Sequence, residues 1–126
     1  MPNPIKVLVA DESRAVRLLL ASLLRDDGRF DVIADVATGS ETIEHCSQAD
    51  LVVLDLVLKD TDAFSLLEDL RAAAPRLPVV ILAAADPPYL RSEADARGSA
   101  GFFTHGTDPA ELLDNFAAAT RGARVR

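Results

Sequence analysis

Short runs of strand-forming residues alternate with helical segments along the chain, and this alternation limits the fold more than any other feature. Each run is too short for a helix, and the first four are rich in β-branched residues. Because strands that alternate with helices pair in parallel, the pattern predicts an α/β domain with a buried parallel sheet. The five predicted strands are Ile5–Ala10, Val32–Val36, Leu51–Leu54, Val79–Leu82 and Gly101–Phe103.

The first helical segment has the clearest periodicity. Its apolar residues follow the i, i+3, i+4 spacing of one helix face, which we expect to pack on the core: Val16, Leu19, Leu20, Leu23 and Leu24. Its polar face carries Arg14, Arg17 and Arg25.

Capping-box patterns, TGSE from residue 38 and DPAE from residue 108, mark the starts of two later helices. A third helix is predicted over Ala63–Ala74, before Pro75. The fourth helical segment, YLRSEADARG, has few apolar residues, so we expect it to be loosely held and available to a partner.

The length of 126 residues and the 49% hydrophobic content suit a single globular domain. We expect residues 1–121 to form it and residues 122–126 to begin a linker or tail. Cys46 is the one cysteine, so no internal disulfide is expected, and Cys46 and His45 are interpreted as packing and surface residues.

The net charge of −7 makes direct binding to nucleic acid unfavourable, because such binding depends on Lys and Arg neutralising phosphates. The sequence contains no membrane-length apolar stretch, and its N-terminus lacks an apolar signal-peptide core. We therefore expect a cytoplasmic location and no membrane partner.

Acidic residues follow two of the predicted strands: Asp11 and Glu12 follow the first, and Asp55 follows the third. In a doubly wound sheet of order 2-1-3-4-5, ligands bind beyond the carboxyl ends of strands 1 and 3.

Carboxylates that meet there repel one another, which raises the pKa of at least one of them unless a cation binds. Oxygen ligands favour Mg²⁺, and no Cys/His set suited to zinc is present. Asp55 would then be a nucleophile toward a phosphoryl group; taken alone, it equally fits an ordinary strand end.

The sequence resembles the receiver domain of two-component response regulators over nearly its whole length. The resemblance rests on KVLVADES, DLVVLDLVLKDTDAFSLLEDLR, LPVVILAA and SAGFFTHGTDPAELL. The DPAELL and ATRG segments look most like receivers that precede a LuxR-type helix-turn-helix output domain. The resemblance implies a three-layer (βα)5, flavodoxin-like fold, Mg²⁺ as cofactor, and a histidine kinase or phosphotransfer protein as phosphoryl donor.

The resemblance also implies roles for individual residues. Asp55 matches the phosphorylated aspartate, and Asp11 and Glu12 match the acidic pair that holds Mg²⁺. Val57 matches the residue that gives a backbone carbonyl to the metal. Phe102 matches the aromatic switch position, although an ordinary core aromatic residue is the alternative interpretation.

Two residues depart from the family pattern. Ala83 stands where the family has a hydroxyl at the end of strand 4, and the next two residues are also alanine. His105 stands where the family has a lysine at the end of strand 5. Either Lys59 or a protonated His105 replaces the missing cation, or Lys59 is a solvated loop residue; the position of Lys59, four residues after Asp55, favours the second interpretation.

Three functions compete. One is an atypical receiver, phosphorylated on Asp55, that signals to an output domain or partner. Another is a pseudo-receiver that binds partners without phosphorylation. A small enzyme, such as an aspartate-nucleophile phosphatase or a flavin carrier, is disfavoured. The sequence has no Asp-x-Asp spacing after the first strand, no Gly-rich phosphate loop, no GxGxxG motif and no tryptophan.

Any self-association is expected to use the fourth helix, fifth strand and fifth helix. Charges of mixed sign along this face predict a weak, salt-sensitive homodimer. These charges belong to Arg91, Glu93, Asp95, Arg97, Asp114 and Arg121.

Overall fold

The computed structural model describes residues 3–122. Five strands form one sheet in the order β2-β1-β3-β4-β5, and neighbouring strands are parallel. The predicted doubly wound α/β fold is therefore confirmed. The strands are β1 (Ile5–Ala10), β2 (Phe30–Val36), β3 (Leu51–Leu54), β4 (Val79–Ala83) and β5 (Gly101–Thr104).

Five α-helices connect and follow these strands. They are α1 (Arg14–Asp27), α2 (Gly39–His45), α3 (Ala63–Ala73), α4 (Pro88–Ala96) and α5 (Pro109–Ala119). A short 3-10 turn over Cys46–Gln48 extends α2. Thr38 and Asp108 accept hydrogen bonds from the backbone N–H groups three residues later, so the predicted caps of α2 and α5 are confirmed.

Side chains that alternate along the strands divide the core into two clusters, one on each face of the sheet. On β1, Leu8 and Ala10 face the cluster that α2, α3 and α4 cover. Val7 and Val9 face the cluster that α1 and α5 cover. Because both faces are buried, the strands read as continuous apolar runs rather than as an alternation of apolar and polar residues.

The strand and helix ends differ slightly from the predicted ones. β2 begins two residues before the predicted Val32, at the buried Phe30, and β4 and β5 each continue one residue further. α3 ends at Ala73, one residue before the predicted end. Such shifts are common, because the ends of elements depend on hydrogen bonds that the sequence does not show.

The predicted core-facing stripe of α1 is confirmed at Leu20 and Leu24 and wrong at Leu19. Leu19 was expected in the core but is 60% exposed. The buried stripe contains the predicted Leu20 and Leu24 together with Ala21, and it continues toward the N-terminus with the largely buried side chain of Arg17. These positions also follow the i, i+3, i+4, i+7 spacing, so the sequence offered two adjacent faces and the packing used the one that includes an arginine.

α4 rests lightly on the sheet, since Ala94 is its one buried residue. Within residues 3–122, no helix combines the length and hydrophobicity that a membrane span requires. Of the predicted tail at 122–126, only Gly122 is described, and residues 123–126 lie outside the described part of the chain.

Candidate functional site

The two central strands end side by side and place two aspartates next to each other. Ala10 at the end of β1 pairs with Leu54 at the end of β3. The next residues are Asp11 and Asp55, and the backbone N–H of Asp55 donates to the carbonyl of Ala10 at 2.9 Å. The N–H of Asp11 donates to the carbonyl of Val36 in β2 at 3.0 Å. The sheet therefore fixes both backbones at its carboxyl edge.

A third side chain reaches the same point from β5. The backbone N–H of His105 donates to the carbonyl of Ala83 at 3.0 Å, which extends the β4–β5 pairing by one residue. Ligand atoms of Asp11, Asp55 and His105 all lie within 4.8 Å of one another. Asp11 is 4% exposed, Asp55 is half-buried and His105 is exposed. The site is thus a crevice with a buried floor and an open rim.

Burial has the largest effect on the pKa of both carboxyl groups. It raises the pKa of Asp11 above its ordinary value, against the hydrogen bond from the Ser13 N–H and the nearby His105 and Arg17. Burial also raises the pKa of Asp55, and the negative charge of Asp11 raises it further. Two partly desolvated carboxylates of like charge make this edge of the sheet a favourable place for a cation.

Glu12 lies at the margin of this crevice, and Val57 is two residues beyond Asp55. Glu12 is exposed, and its carboxylate is not part of the compact group of three, but its charge adds to the rise in the pKa of Asp55. Val57 has an exposed side chain and pairs with Asp62 in an isolated antiparallel bridge. The structure therefore brings Asp11 and Asp55 together and leaves Glu12 at the solvent-facing rim.

The loop after Asp55 is anchored to the start of α2. The carboxylate of Asp60 accepts hydrogen bonds from the N–H groups of Gly39 and Ser40, at 2.7 and 3.2 Å, and so holds the start of α2. Lys59 is exposed, and its side chain forms no salt bridge with any described residue. This arrangement favours the interpretation of Lys59 as a solvated loop residue.

Two of the three proposed switch positions, Ala83 and Phe102, lie in the core, whereas the third, His105, is exposed. Ala83 is fully buried and brings no hydroxyl to the site. Phe102 is 1% exposed, and the guanidinium carbon of Arg91 lies 5.3 Å from its ring centroid. Arg91 also binds both carboxylate oxygens of Asp86, at 3.1 and 2.7 Å. Phe102 is thus connected through α4 to the loop that follows β4.

Arg17 belongs to this site although its sequence position predicted only a polar helix face. Its Nη1 donates to the backbone carbonyls of Asp11 at 2.7 Å and Glu12 at 3.3 Å. Its Nε donates to Oδ1 of Asp35, at 3.0 Å. Arg17 therefore holds the backbone of the acidic pair. The sequence signal is faint: a basic residue about one turn into α1 and an acid near the end of β2.

Comparisons with known proteins agree with this geometry. The family model of the response regulator receiver domain matches residues 7–117. The chain is 30% identical, over 97% of its length, to a nitrate/nitrite response regulator protein homolog of Haemophilus influenzae, and it spans 60% of that protein.

Two solved structures share the fold. One is a LuxR-family two-component response regulator from Aurantimonas sp. SI85-9A1, with a TM-score of 0.91, 22% identity, and coverage of 98% of this chain and 90% of that chain. The other comes from the complex of CheX, CheY, BeF3⁻ and Mg²⁺ of Borrelia burgdorferi, with a TM-score of 0.83, 22% identity, and coverage of 91% and 88%.

Proposed function

Because the chain belongs to the receiver domain family of two-component response regulators, we propose that it is a phosphoacceptor signalling domain that receives its phosphoryl group on Asp55. The observation that carries this proposal is the pairing of Asp11 with Asp55 at the carboxyl edge of the sheet. A half-buried carboxylate beside a second, buried one matches a nucleophile whose neighbour attracts a cation.

The transfer is a displacement at phosphorus. A carboxylate oxygen of Asp55 attacks the phosphorus of a phosphohistidine, an O–P bond forms, and the P–N bond breaks. The electron pair leaves with the donor imidazole, whose nitrogen takes up a proton from water. The product is an acyl phosphate on Asp55, and the domain acts as a signalling partner rather than as an enzyme.

The oxygen donors present fit a divalent cation. The carboxylates of Asp11, Glu12 and Asp55 and the backbone carbonyl of Val57 would hold Mg²⁺, since hard oxygen ligands suit this ion. The bound ion supplies positive charge to the oxygens of the transferring group. The raised pKa values of Asp11 and Asp55, which come first from burial, support a cation at this place.

The chain's own residues set the geometry of the transfer. The Ser13 N–H donates to Oδ1 of Asp11 at 2.8 Å and orients this carboxylate, while Arg17 holds the backbone behind it. Ala83 offers no hydroxyl to a phosphoryl oxygen. Phe102, the proposed aromatic switch, would transmit the change through its contact with Arg91 on α4.

The proposed partners follow from the same family. A sensor histidine kinase or a phosphotransfer protein would donate the phosphoryl group. The chain spans about 60% of the length of its Haemophilus relative, and we propose that residues 1–121 are the receiver and that a linker toward a DNA-binding output domain begins at 122.

A specific observation also favours a second candidate, the pseudo-receiver. The fully buried Ala83 and the histidine at position 105 remove the two family groups that contact a phosphoryl group. A domain of this kind would bind partners through α4, β5 and α5 whether or not Asp55 is modified.

The test between these functions is the formation of an adduct. Incubation with a small phosphodonor and Mg²⁺ should add one phosphoryl group to the intact mass of the wild type and none to the isosteric Asp55→Asn variant. Removal of divalent metal with EDTA should abolish the adduct. An equal yield in the Asp55→Asn variant, or without metal, would contradict the proposal, and no adduct under any condition would favour the pseudo-receiver.

A weak homodimer through α4, β5 and α5 is a further proposal. Several charges on this face already pair within the domain: Arg91 with Asp86, and Arg97 with Glu93 and Glu68. Ion pairs between two subunits would replace these pairs within each subunit, so the gain in binding free energy is small. We therefore expect a weak dimer that weakens further with salt. Sedimentation velocity at low and high salt measures this.

The matched variants for the dimer are two charge reversals. Arg97→Glu should reduce dimerisation, while Arg76→Glu, in the loop between α3 and β4, should not. A tight dimer that is indifferent to salt, or equal effects of the two reversals, would contradict the proposed face.

A further inference from the structure

His105 provides a different kind of atom from the lysine that it replaces. A lysine ammonium is a charged donor with no lone pair, whereas a neutral imidazole has a nitrogen lone pair and is a common metal ligand. The pairing of β5 with β4 places this imidazole within 4.8 Å of the carboxylate atoms of Asp11 and Asp55. The substitution therefore exchanges a cation for a ligand at the same point of the site.

The carboxylate of Asp11 is available to a metal. It is 4% exposed, and within residues 3–122 its one side-chain hydrogen bond comes from the Ser13 N–H to Oδ1. A buried carboxylate with an unpartnered oxygen requires compensation by a cation or a donor. This carboxylate provides one of three ligand atoms that lie within 4.8 Å of one another, the other two belonging to Asp55 and His105.

The spacing of the three groups suits a common metal ion. Bonds of about 2.1 Å place neighbouring ligand atoms about 3 Å apart around an octahedral ion. The present separations of up to 4.8 Å close by side-chain rotation, because His105 is exposed and Asp55 is only half-buried. Two carboxylate oxygens and one imidazole nitrogen form a mixed donor set. Such a set favours first-row transition ions, whereas Mg²⁺ prefers ligands that are all oxygen.

We propose that His105 is a metal ligand together with Asp11 and Asp55, and that this site binds a first-row divalent ion such as Co²⁺ or Mn²⁺ more tightly than it binds Mg²⁺. This inference rests on the proposed function, because it names the cofactor class of the same site. Under this proposal no side chain replaces the positive charge of the family lysine. The imidazole of His105 binds the metal instead of contacting the phosphoryl group.

The experiment measures metal affinity without phosphorylation. Metal-free full chain is titrated calorimetrically with Co²⁺ alone and with Mg²⁺ alone, for wild type, His105→Gln and His45→Gln. The control variant removes the chain's other histidine, which ends α2. We expect His105→Gln to weaken Co²⁺ binding at least about tenfold, the usual scale for groups that support a metal site, with much less effect on Mg²⁺ and no effect of His45→Gln on either ion.

Proton NMR with Co²⁺ adds a direct signature, because the ring protons of a ligating imidazole shift far outside the diamagnetic range and those of His45 do not. The inference is overturned if wild type binds Co²⁺ no more tightly than Mg²⁺. It is also overturned if His105→Gln weakens both ions equally, or if the His105 ring protons stay in the diamagnetic range.

The two proposals fail in different ways. A phosphoryl adduct on Asp55 with no selective loss of Co²⁺ affinity in His105→Gln overturns the metal inference and keeps the phosphoacceptor function. Selective Co²⁺ binding through His105 with no adduct under any metal overturns the phosphoacceptor function and keeps the metal site.

Discussion

Asp11→Asn is expected to raise the midpoint of thermal unfolding of the metal-free protein at pH 7 and, at the same time, to slow phosphorylation of Asp55 by about a hundredfold or more. The opposite signs have one cause. The buried carboxylate destabilises the fold when no cation is bound, and the same charge serves the transfer when a cation is bound. Loss of one preorganised electrostatic group typically costs two to three orders of magnitude in rate.

The sign of the stability change follows from the pKa. Burial raises the pKa of Asp11 in the folded state above its ordinary value of 3.8. The folded state therefore binds this proton more tightly than the unfolded state does, so this group increasingly favours the folded state as pH falls through the raised pKa toward 3.8. Above the raised pKa the group is charged in both states, and its burial is then unfavourable. Asparagine removes this charge and can still accept the hydrogen bond from the Ser13 N–H.

Differential scanning fluorimetry in EDTA across pH 4 to 8 and adduct formation followed by mass measure both effects. Metal ten times above its dissociation constant should stabilise the wild type by about 1.4 kcal/mol, and Asp11→Asn should lose most of this gain. Asp31→Asn, an exposed residue of β2, is the control and should change neither quantity. A lower midpoint for Asp11→Asn in EDTA would contradict the account.

The double variant Ala83→Thr with His105→Lys is expected to turn a weak conformational response into a nearly complete one. A phosphoryl group shifts a two-state equilibrium only by the difference in its interactions with the two states. A complete shift from 1:99 to 99:1 needs about 5.5 kcal/mol. Two charge-assisted contacts of about 1.5 to 3 kcal/mol each supply about 3 to 6 kcal/mol, and the wild-type residues provide neither.

Beryllofluoride with Mg²⁺, a phosphate mimic, allows the response to be read by NMR. Wild type should show small chemical-shift changes near Phe102 and α4, and the double variant should show large ones. The two single variants are the matched controls and should lie between. A full response in the wild type would mean that coupling does not run through these positions, and Lys59 would become the residue to replace.

The fold could be predicted from the sequence because its signals are local and repeated. Runs such as LVVL and VVIL are too short for helices and lack the alternation of half-exposed strands, so they indicate a sheet buried on both faces. The order of strands then followed from the known doubly wound arrangement. The same order placed Asp11 beside Asp55, which the pairing of β1 with β3 reproduces.

What the sequence could not predict depends on contacts between distant segments. Periodicity predicts Leu19 in the core and Arg17 on the surface, yet Leu19 is exposed and Arg17 reaches the carbonyl of Asp11. Arg17 also donates to Asp35, which lies on β2, 18 residues away in the sequence. Similarly, nothing local shows that Arg91 lies over Phe102, because the two residues belong to different elements and meet only in the folded domain.

The central claim is that the phosphoryl group is carried on Asp55, and borohydride reduction tests it most directly. Reduction converts an aspartyl phosphate into homoserine, which peptide mass mapping locates along the chain. After treatment with a small phosphodonor and Mg²⁺, we predict homoserine at position 55 and at no other aspartate. Homoserine at Asp11 or elsewhere, or an adduct that borohydride does not reduce, would contradict the account.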